Sequence, residues 1–513
     1  MPPTSPTPVN RDEAPVRERG DACPGALRLH SADDGWLARL RLPAGVLTHR
    51  QAEVLAAAAE RLGDGHLDIT SRGNIQLRGL GESCGGELAG LLYDAGLLPS
   101  ERHERVRNIV ASPLAGLDGP GGVPTADVQL WTRELDTLLC ASETATALSG
   151  RFLFALDDGR GDVAALGADV TLLAQRDGTA LLHTGTRTGP HTGTGTRTGT
   201  RTGSSTGAQG VAVLRVAAAD APRAALLAAE TFLTVAAETG TGAWRVRELP
   251  PGHGLDEAVA AALAAAGIAA AAVKGHGPEA APGEAAPPEA DPPSPGPVHS
   301  PDGTVALSVY APLGRLSVAR WRTLTGAAET VRVTPWRGVI VPGLAPATAR
   351  DLLNRLRTAG LITGPDSPWH GVGACTGRPG CAKALSDVRA DAAGAVTATP
   401  LALTGPPVYW SGCARRCGHP QGRWVDVVAT GEGGYEISVH GAAPGSAPPG
   451  PVTTATPADL AEAVTAARAA LTTSTARTTG VTSTTDTART TGTTGLTSTT
   501  GVTSTTRTTP LTR

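Results

Sequence analysis

The sequence of 513 residues has one methionine, 3% aromatic residues and almost no excess charge. Its formal net charge of −3 provides no global positive field, so nucleic acid is not expected as a partner. Seven cysteines are too few for a disulfide scaffold in a chain of this length. The longest apolar run, Ala258–Val273, is mostly alanine and too short for a membrane span, and no apolar stretch near Met1 resembles a signal peptide. The composition therefore predicts a cytoplasmic protein that binds neither nucleic acid nor a membrane.

Four stretches of low complexity interrupt the segments that can fold. None can bury enough apolar surface to order itself, so each is predicted to be a tail, a loop insertion or a linker. They are a disordered N-terminus (1–19), a Thr-Gly insertion (183–207), an interdomain linker (276–300) and a Thr-rich tail (472–513). Because apolar segments flank the Thr-Gly insertion directly, we expect it at the tip of a hairpin.

The chain contains an internal repeat. Shifted by 264 residues, Leu67–Leu80 aligns with Val331–Leu344, and the register continues through the following helix. Each copy reads strand, helix, strand, helix, which is an α+β unit used twice. In the first copy these segments are Trp36–Leu42, Thr48–Leu62 with a Thr N-cap, His66–Arg78 and Gly85–Ala95 before Gly96. We expect the two copies to pack about a pseudo-two-fold axis and to build a site between them.

The predicted strand His66–Arg78 carries four polar residues at alternate positions, Arg72, Asn74, Gln76 and Arg78. Alternate residues of a strand share a face. This face is either solvated or a polar wall for an anionic ligand. The corresponding positions of the second copy are Trp336, Gly338, Ile340 and Pro342, and this contrast favours the wall.

Four cysteines form two pairs, Cys375-x5-Cys381 and Cys413-x3-Cys417. Zinc sites usually use C-x2-C spacing, so these pairs fit zinc poorly, whereas four-iron clusters accept varied spacings. The other cysteines, Cys23, Cys84 and Cys140, stand alone and are predicted to be buried structural thiols.

These motifs together resemble the sirohaem-dependent nitrite and sulfite reductases. The paired cysteines, the strand Thr70-Ser-Arg-Gly-Asn-Ile-Gln, the segment Val106-Arg-Asn-Ile-Val and the segment Leu148-Ser-Gly-Arg-Phe carry the resemblance, which covers roughly residues 20–182 and 208–465. It implies an α+β fold in which ferredoxin-like half-domains and iron–sulfur/haem-type α/β domains are duplicated in tandem about a pseudo-two-fold axis. It also implies that the four paired cysteines hold a 4Fe–4S cluster.

Within this superfamily the chain is similar to the precorrin-3B synthase family. The phrases Ala22-Cys-Pro-Gly-Ala-Leu-Arg, Asp157-Asp-Gly-Arg-Gly-Asp and Ser411-Gly-Cys-Ala-Arg-Arg-Cys-Gly-His carry this similarity. It implies a monooxygenase that converts precorrin-3A to precorrin-3B with O2 and reducing equivalents, by hydroxylation and γ-lactone formation. Leu153, where the reductases have a second basic residue, argues against reduction of a small oxyanion.

The resemblance suggests roles for further residues. Arginine suits the carboxylates of precorrin-3A, so the expected pocket residues are Arg72, Arg78, Arg107 and Arg151, with Asn74 and Gln76 as hydrogen-bonding partners. A mononuclear non-haem iron would be a second metal, and His419 is one candidate ligand for it. Sirohaem is less expected, and the sequence identifies no catalytic residue.

Electrons are expected to come from NADH through a separate reductase or ferredoxin. The segment Gly159-Arg-Gly161-Asp-Val-Ala164 is only a partial match to a dinucleotide-binding loop, and it is interpreted as a hairpin turn. The predicted folded segments are half-domains 20–84 and 301–347, followed by α/β domains 85–275 and 348–471. Two alternatives stay open, a sirohaem nitrite or sulfite reductase and a non-catalytic iron–sulfur or zinc protein.

Overall fold

The repeat recognised in the sequence folds into two half-domains that exchange strands. The structure is a computed structural model that describes residues 21, 23–119, 127–185, 213–252, 254–273, 292–398, 405–420, 423–431, 433–440, 453–456 and 459–478. The chain divides into units 1–472 and 473–513, and the second contributes to the described residues only the end of the last helix. None of the described helices is long and apolar enough to span a bilayer.

The described residues form 21 strands and nine α-helices. The strands are β1 His30–Ala32, β2 Gly35–Leu40, β3 Val46–Thr48, β4 His66–Ile69, β5 Ile75–Leu80, β6 Ile109–Ala111, β7 Phe154–Asp157, β8 Val170–Ala174, β9 Thr179–Thr184, β10 Val213–Ala217, β11 Ala271–Ala272, β12 Gly296–His299, β13 Val305–Tyr310, β14 Arg315–Ser317, β15 Thr330–Val333, β16 Gly338–Leu344, β17 Val372–Ala374, β18 Val408–Ser411, β19 Trp424–Gly431, β20 Gly434–His440 and β21 Thr453–Ala455. The helices are α1 His49–Leu62, α2 Gly85–Asp94, α3 Val128–Ala141, α4 Ala221–Glu238, α5 Leu255–Ala265, α6 Val318–Thr325, α7 Pro346–Thr358, α8 Val388–Ala398 and α9 Leu460–Thr478.

Each half-domain is a five-stranded sheet that borrows one strand from the other half. The first sheet has the order β1-β2-β5-β4-β14 and the second β12-β13-β16-β15-β3. Leu316 of β14 pairs with Leu67, and Leu47 of β3 pairs with Val331. This reciprocal exchange relates the halves by a pseudo-two-fold axis, as predicted. The two sheets share one apolar core that includes these four side chains.

The predicted helix α1 is confirmed with its N-cap. The Thr48 hydroxyl accepts a hydrogen bond from the Gln51 N–H at 3.2 Å, and the Gln51 side chain accepts one from the Thr48 N–H at 3.0 Å. Both bonds satisfy N–H groups that the first helical turn leaves free. Helix α1 packs against α6 through Trp321, which is fully buried and donates its indole N–H to the Ala52 carbonyl at 2.8 Å.

The prediction of one continuous strand over His66–Arg78 is wrong. The segment is a hairpin of β4 and β5 whose turn contains Gly73 with φ 65°, a conformation that glycine adopts without strain. Arg72 therefore lies in the turn, Asn74 directly precedes β5, and only Gln76 and Arg78 lie on a strand. The alternation of polar residues resembled a strand because it continued through the turn.

Two α/β domains with matching topology complete the fold. The first has a six-stranded sheet in the order β11-β10-β9-β8-β7-β6, and the second a five-stranded sheet in the order β17-β18-β19-β20-β21. In each sheet three consecutive strands are parallel, β6-β7-β8 and β17-β18-β19, and the neighbours are antiparallel. Because β7 and β8 are parallel, the Gly159–Gly161 segment lies in a crossover, and its interpretation as a hairpin turn is wrong.

Several predicted boundaries shift. Strand β12 lies inside the predicted linker 276–300 and pairs with β13, and helix α9 continues to Thr478 inside the predicted tail. Helices α2 and α7 pack on the half-domain core through Leu88 and Leu352, so the half-domains extend past residues 84 and 347. Strands β9 and β10 pair antiparallel on either side of the Thr-Gly insertion. Residues 1–19, 186–207, 276–291 and 479–513 lie outside the described residues.

Candidate functional site

The two cysteine pairs lie at the same edge of the last sheet. Strand β17 ends directly before Cys375, and β18 ends two residues before Cys413. Since these strands are parallel, their carboxyl ends meet, and the Cys375 N–H donates to the Trp410 carbonyl at 2.9 Å. The Gly412 N–H donates to the Cys375 Sγ at 3.1 Å. The topology thus brings together the two loops that carry the predicted cluster ligands.

The thiols are spaced too widely for a zinc site. The sulfur atoms of a tetrahedral site lie within about 4 Å of one another, because each Zn–S bond is about 2.3 Å. All four cysteines are among the described residues, and no three of their sulfur atoms lie within 4.8 Å of one another. A four-iron cluster separates its thiolate ligands further, because the iron cube lies between them. The donor set of four thiols with a backbone N–H directed at one of them fits such a cluster.

Burial and neighbouring thiols act on Cys375. Burial is the largest effect that raises the pKa of the Cys375 thiol, and negative charge on Cys417 and Cys381 raises it further. Three of the thiols are partly buried and Cys417 is exposed. Thiolate charges that interact in this way are neutralised when they share a metal centre.

An arginine from each half-domain holds one cysteine loop. Arg78 donates to the Gly380 carbonyl at 2.6 Å, inside the first loop, and binds both oxygens of Asp34 at 2.7 and 2.8 Å. Arg337 donates to the Gly418 carbonyl at 2.9 Å, directly after the second loop. The Tyr409 hydroxyl donates to the Cys417 carbonyl at 2.6 Å. Both halves of the duplication therefore fix the position of the thiols.

Gly380 fits closely against the first half-domain. A Cβ at this position would lie 2.6 Å from the Asp34 Oδ2 and 2.9 Å from the Arg78 terminal nitrogen. Neither atom can move without breaking the bidentate ion pair, in which the Arg78 side chain is only 4% exposed. Glycine is therefore required where the cysteine loop meets β5.

Three arginines of the first half-domain form a cationic cluster. Arg39 lies near the end of β2, Arg41 directly follows this strand, and Arg72 lies in the β4–β5 turn. We call the three the arginine cluster. Burial lowers the pKa of Arg41 to about 9, and the charge of Arg39 lowers it further. Burial, followed by the charge of Arg245, lowers the pKa of Arg72 to about 10. Burial also lowers the pKa of Arg39, and the positive charge of Arg78 contributes to lowering it.

The arginine cluster lacks the anions that usually accompany buried charge. Within the described residues, no carboxylate lies within ion-pairing distance of Arg39, Arg41 or Arg72, in contrast to Arg78. The Nε atoms of Arg39 and Arg41 are buried without a hydrogen-bond partner among the described atoms. Buried donors of this kind cost about 1–3 kcal/mol each when nothing accepts from them. The cluster is therefore suited to an anionic ligand. Arg39 and Arg41 were not predicted from the sequence as site residues, although their two-residue spacing in a predicted strand indicates a shared face.

Asn74 and Gln76 are used inside the protein. Asn74 accepts from the Leu42 N–H at 3.0 Å and donates to the Asn108 side chain at 3.2 Å, while Gln76 accepts from Arg39 at 2.9 Å. Asn74 thus supports the segment after Arg41, and Gln76 orients Arg39. Their predicted role in ligand binding stays a prediction, and their observed contacts position the arginine cluster.

The other predicted arginines have different surroundings. Arg107 forms a bidentate ion pair with Asp136 at 2.6 and 2.7 Å and donates to the Leu97 carbonyl, so its donors are engaged. Arg151 is exposed and lies over the Trp244 ring at 4.8 Å. Arg72 donates weakly to the Gly150 carbonyl at 3.4 Å. Of the six predicted residues, Arg72 and Arg151 have guanidinium groups without a carboxylate partner in the described structure.

The single cysteines and His419 belong to no compact group of metal ligands among the described residues. Cys23, Cys84 and Cys140 are each partly buried rather than buried. His419 stacks on Trp424 at 4.8 Å, and His440 stacks on the same indole at 4.8 Å, which keeps the two imidazoles apart. The described residues contain one compact group of potential ligands, Asp157, Asp158 and Asp162. Asp157 already accepts four backbone N–H groups, and Arg160 binds Asp158, so these carboxylates hold their own loop.

Both halves of the repeat match a known protein family. The model of the nitrite/sulfite reductase ferredoxin-like half domain matches residues 30–83 and 297–359, one match for each half. The chain therefore contains two half-domains of the nitrite/sulfite reductase ferredoxin-like type. The solved structure of the Mycobacterium tuberculosis NirA protein has the same fold, with a TM-score of 0.62 and 17% identity over 83% of this chain and 79% of that one.

Two relatives differ in how much of this chain they match. A precorrin-3B synthase of Sinorhizobium is 29% identical over 439 residues, which is 83% of this chain and 84% of that protein. A ferredoxin–nitrite reductase of Synechococcus elongatus is 36% identical over 128 residues, 24% of this chain and 25% of that enzyme. The resemblance stated from the sequence is therefore confirmed, and the relatives are enzymes of the oxidoreductase type.

Proposed function

We propose that this protein is an iron–sulfur monooxygenase of the precorrin-3B synthase type. The proposed reaction consumes precorrin-3A, O2, two electrons and protons, and yields a hydroxylated γ-lactone and water. The similarity to a precorrin-3B synthase over 83% of the chain supports this substrate. The observation that carries the proposal is the arginine cluster, whose cationic groups have no carboxylate partners among the described residues and lie in the half-domain whose Arg78 binds the Gly380 carbonyl.

The arginine cluster suits a substrate with several carboxylates. Arg39, Arg41 and Arg72 present planar donors that can bind carboxylates in pairs of hydrogen bonds. A hydrogen bond to a charged group contributes about 1.5–3 kcal/mol, so a polycarboxylate gains from each arginine it reaches. Burial lowers the pKa values of Arg41 and Arg72, and an incoming carboxylate would stabilise the charged forms of both guanidinium groups. Arg151, which is exposed beside Trp244, would add a contact at the rim.

Cys375, Cys381, Cys413 and Cys417 would hold a 4Fe–4S cluster. When bound there, such a cluster supplies electrons one at a time. Arg78, Arg337 and Tyr409 fix the loops that carry these thiols, and Gly380 brings the first loop against the half-domain that contains the arginine cluster. In this proposal these residues would hold the electron source next to the substrate pocket.

The electrons are proposed to derive from NADH through a separate reductase or ferredoxin. The Gly159–Gly161 loop is filled by its own contacts, since Gly159 and Gly161 both donate to Asp157. It therefore offers no free backbone cradle for a pyrophosphate. A mononuclear iron is a further proposed cofactor. No ligand is assigned to it, because the compact carboxylate group of the described residues is already bonded to the chain.

A sirohaem nitrite or sulfite reductase is the second candidate. The matches to ferredoxin–nitrite reductases favour it, because the enzyme of Leptolyngbya laminosa is 42% identical over 85 residues, 16% of this chain. Against it stands Leu153, which is 4% exposed and places an apolar side chain where the reductases have a second basic residue.

Anaerobic purification followed by absorption spectroscopy and iron and sulfide analysis tests the proposal. The oxygenase predicts a broad cluster band, about four sulfides per chain and no Soret-type peak. A sirohaem spectrum would transfer the proposal to the reductase, and zinc without sulfide would contradict both.

A further inference from the structure

Cys23 lies against the arginine cluster. A Cβ built on Gly150 would be 2.8 Å from the Cys23 Cβ and 3.2 Å from the Arg41 terminal nitrogen, so both side chains converge on this glycine. Negative charge at Cys23 would raise the pKa values of Arg39, Arg41 and Arg72, so all three arginines lie within its electrostatic reach. The Cys23 residue is partly exposed. It therefore combines access from solvent with three cationic neighbours.

A carboxylate fixes this cysteine in place. Asp21 accepts from the Cys23 N–H at 3.0 Å, from the Gly150 N–H at 2.6 Å and from the Ser149 hydroxyl at 2.9 Å. It also forms a side-chain hydrogen bond with Cys23 and lies 3.6 Å from Arg105. Asp21 thus joins the Cys23 segment to the loop around Gly150 and offers an acceptor for the thiol proton.

Arg41 is the independent sign that a ligand belongs here. Arg41 is 3% exposed. Among the described residues its Nε has no partner, and its side chain donates one hydrogen bond, from Nη1 to the Arg39 carbonyl at 3.3 Å. Its other terminal nitrogen points toward the Gly150–Cys23 contact. A buried cation without a partner attracts anions to the thiol beside it.

We propose that Cys23 is a reactive thiol that lines the arginine cluster and is modified selectively by small anionic electrophiles. The proposal rests on the anion pocket of the proposed function and adds to it a nucleophilic group. With iodoacetate, the Cys23 sulfur forms an S–C bond while the C–I bond breaks and iodide leaves. The thiol proton passes to Asp21 or to water, so no oxidant or reductant is consumed.

The test compares two alkylating reagents on the full-length, cluster-loaded protein kept anaerobic. Iodoacetate carries a negative charge and iodoacetamide does not, and mass spectrometry of peptides gives the alkylation rate at each cysteine. Cys84 and Cys140 serve as internal controls. Burial is the largest cause that raises the pKa of Cys140, and Cys84 packs against the half-domain core. At Cys23 the ratio of the iodoacetate rate to the iodoacetamide rate should exceed that at Cys84 by about tenfold.

Two variants and one protection experiment complete the test. Arg41→Met should bring the rate ratio at Cys23 toward that of Cys84, while Arg61→Met, which removes an exposed arginine paired with Glu87, should leave it unchanged. Uroporphyrin, a tetrapyrrole with carboxylates around its ring, should slow alkylation of Cys23 at least tenfold and leave Cys84 unaffected.

The outcomes separate the thiol from the pocket. An equal rate ratio at Cys23 and Cys84 would overturn the proposal for Cys23. This would hold whether or not uroporphyrin binds the protein, which quenching of the tryptophan fluorescence measures separately. A high ratio without protection by uroporphyrin would support the reactive thiol and contradict a tetrapyrrole polycarboxylate as the occupant of the pocket. A high ratio that persists in Arg41→Met would show that the arginine cluster is not its cause and would overturn the proposal.

Discussion

Replacing Arg41 should make the empty protein more stable and its ligand binding weaker. Burial first, and the charge of Arg39 second, lower the pKa of Arg41 from the ordinary value of a guanidinium group to about 9. At about 1.4 kcal/mol per pKa unit, this corresponds to about 5 kcal/mol of unfavourable free energy for the charged guanidinium. Replacing a buried ion pair by apolar side chains of similar size is neutral or stabilises a protein by about 1–4 kcal/mol, and Arg41 has no ion-pair partner among the described residues. We therefore expect Arg41→Met to raise the free energy of unfolding by that amount.

The pH dependence gives a second, signed check on the same variant. A basic group with a lowered pKa in the folded state binds its proton more weakly there than in the unfolded chain. The destabilisation is thus fully present below about pH 9 and is relieved as the pH rises from about 9 toward 12.5. The stability difference between Arg41→Met and the wild type should accordingly shrink as the pH is raised from 8 to 10.5.

The assay is thermal unfolding followed by circular dichroism, together with uroporphyrin titration by tryptophan quenching. The unfolding midpoint of Arg41→Met should rise by at least about 2 °C. Its uroporphyrin affinity should fall about 10- to 100-fold, since hydrogen bonds to charged groups contribute about 1.5–3 kcal/mol. Arg61→Met is the matched control, because its exposed ion pair with Glu87 is worth at most about 1 kcal/mol. A lower midpoint in Arg41→Met, with a difference that does not change with pH, would refute the idea of an unpaired buried charge.

Three further predictions concern the cysteine loops and a buried carboxylate. Arg78→Met leaves Asp34 without its ion-pair partner, so it should lower the free energy of unfolding by about 3–5 kcal/mol and reduce the sulfide content per chain. The control variant Arg61→Met should keep the wild-type sulfide content. Gly380→Ala should also reduce the iron and sulfide content, because its Cβ would clash with Asp34 and Arg78. Gly90→Ala is the control: Gly90 lies in helix α2 with open space around it, so both contents should stay unchanged. Equal contents in the two variants would contradict the close fit at Gly380. Burial first, and then the charge of Asp157, raise the pKa of Asp162 to about 7. The folded protein therefore binds the Asp162 proton more tightly than the unfolded chain does. The resulting contribution to folding stability is fully present below about pH 4 and is lost as the pH rises through 7. Asp162→Asn should then exceed the wild type in thermal midpoint at pH 8 and lose this advantage toward pH 5, and a difference independent of pH would be inconsistent with this assignment.

The duplication and the cysteine pairs could be read from the sequence because they depend on local patterns. The Thr48–Gln51 capping box, the end of α2 before Gly96 and the C-x5-C and C-x3-C pairs are all set by residues close in the chain. The strand exchange could not be predicted, because β3 and β14 are short and pair with residues more than 200 positions away. Pairing at that distance leaves no periodic signal in either segment.

The candidate site was only partly predictable for a related reason. Arg78 looked like a ligand-binding residue, yet it binds Asp34 and Gly380, the latter 302 residues away, and so holds the cysteine loop. Arg107 looked equally available and is paired with Asp136. Conversely, Arg39 and Arg41 looked like ordinary strand residues, and only the absence of nearby carboxylates in the described structure marks them as a site for anions. Whether an arginine is free or paired depends on tertiary contacts that no sequence pattern encodes.

The most direct measurement of the proposed activity is a turnover experiment with isotopically labelled dioxygen. The cluster-loaded protein would be mixed with precorrin-3A, a reducing system and labelled O2, and the product analysed by mass spectrometry. The account predicts a product with one labelled oxygen atom from O2, and no comparable reduction of nitrite or sulfite under the same conditions. Unchanged precorrin-3A together with rapid reduction of nitrite or sulfite would contradict it.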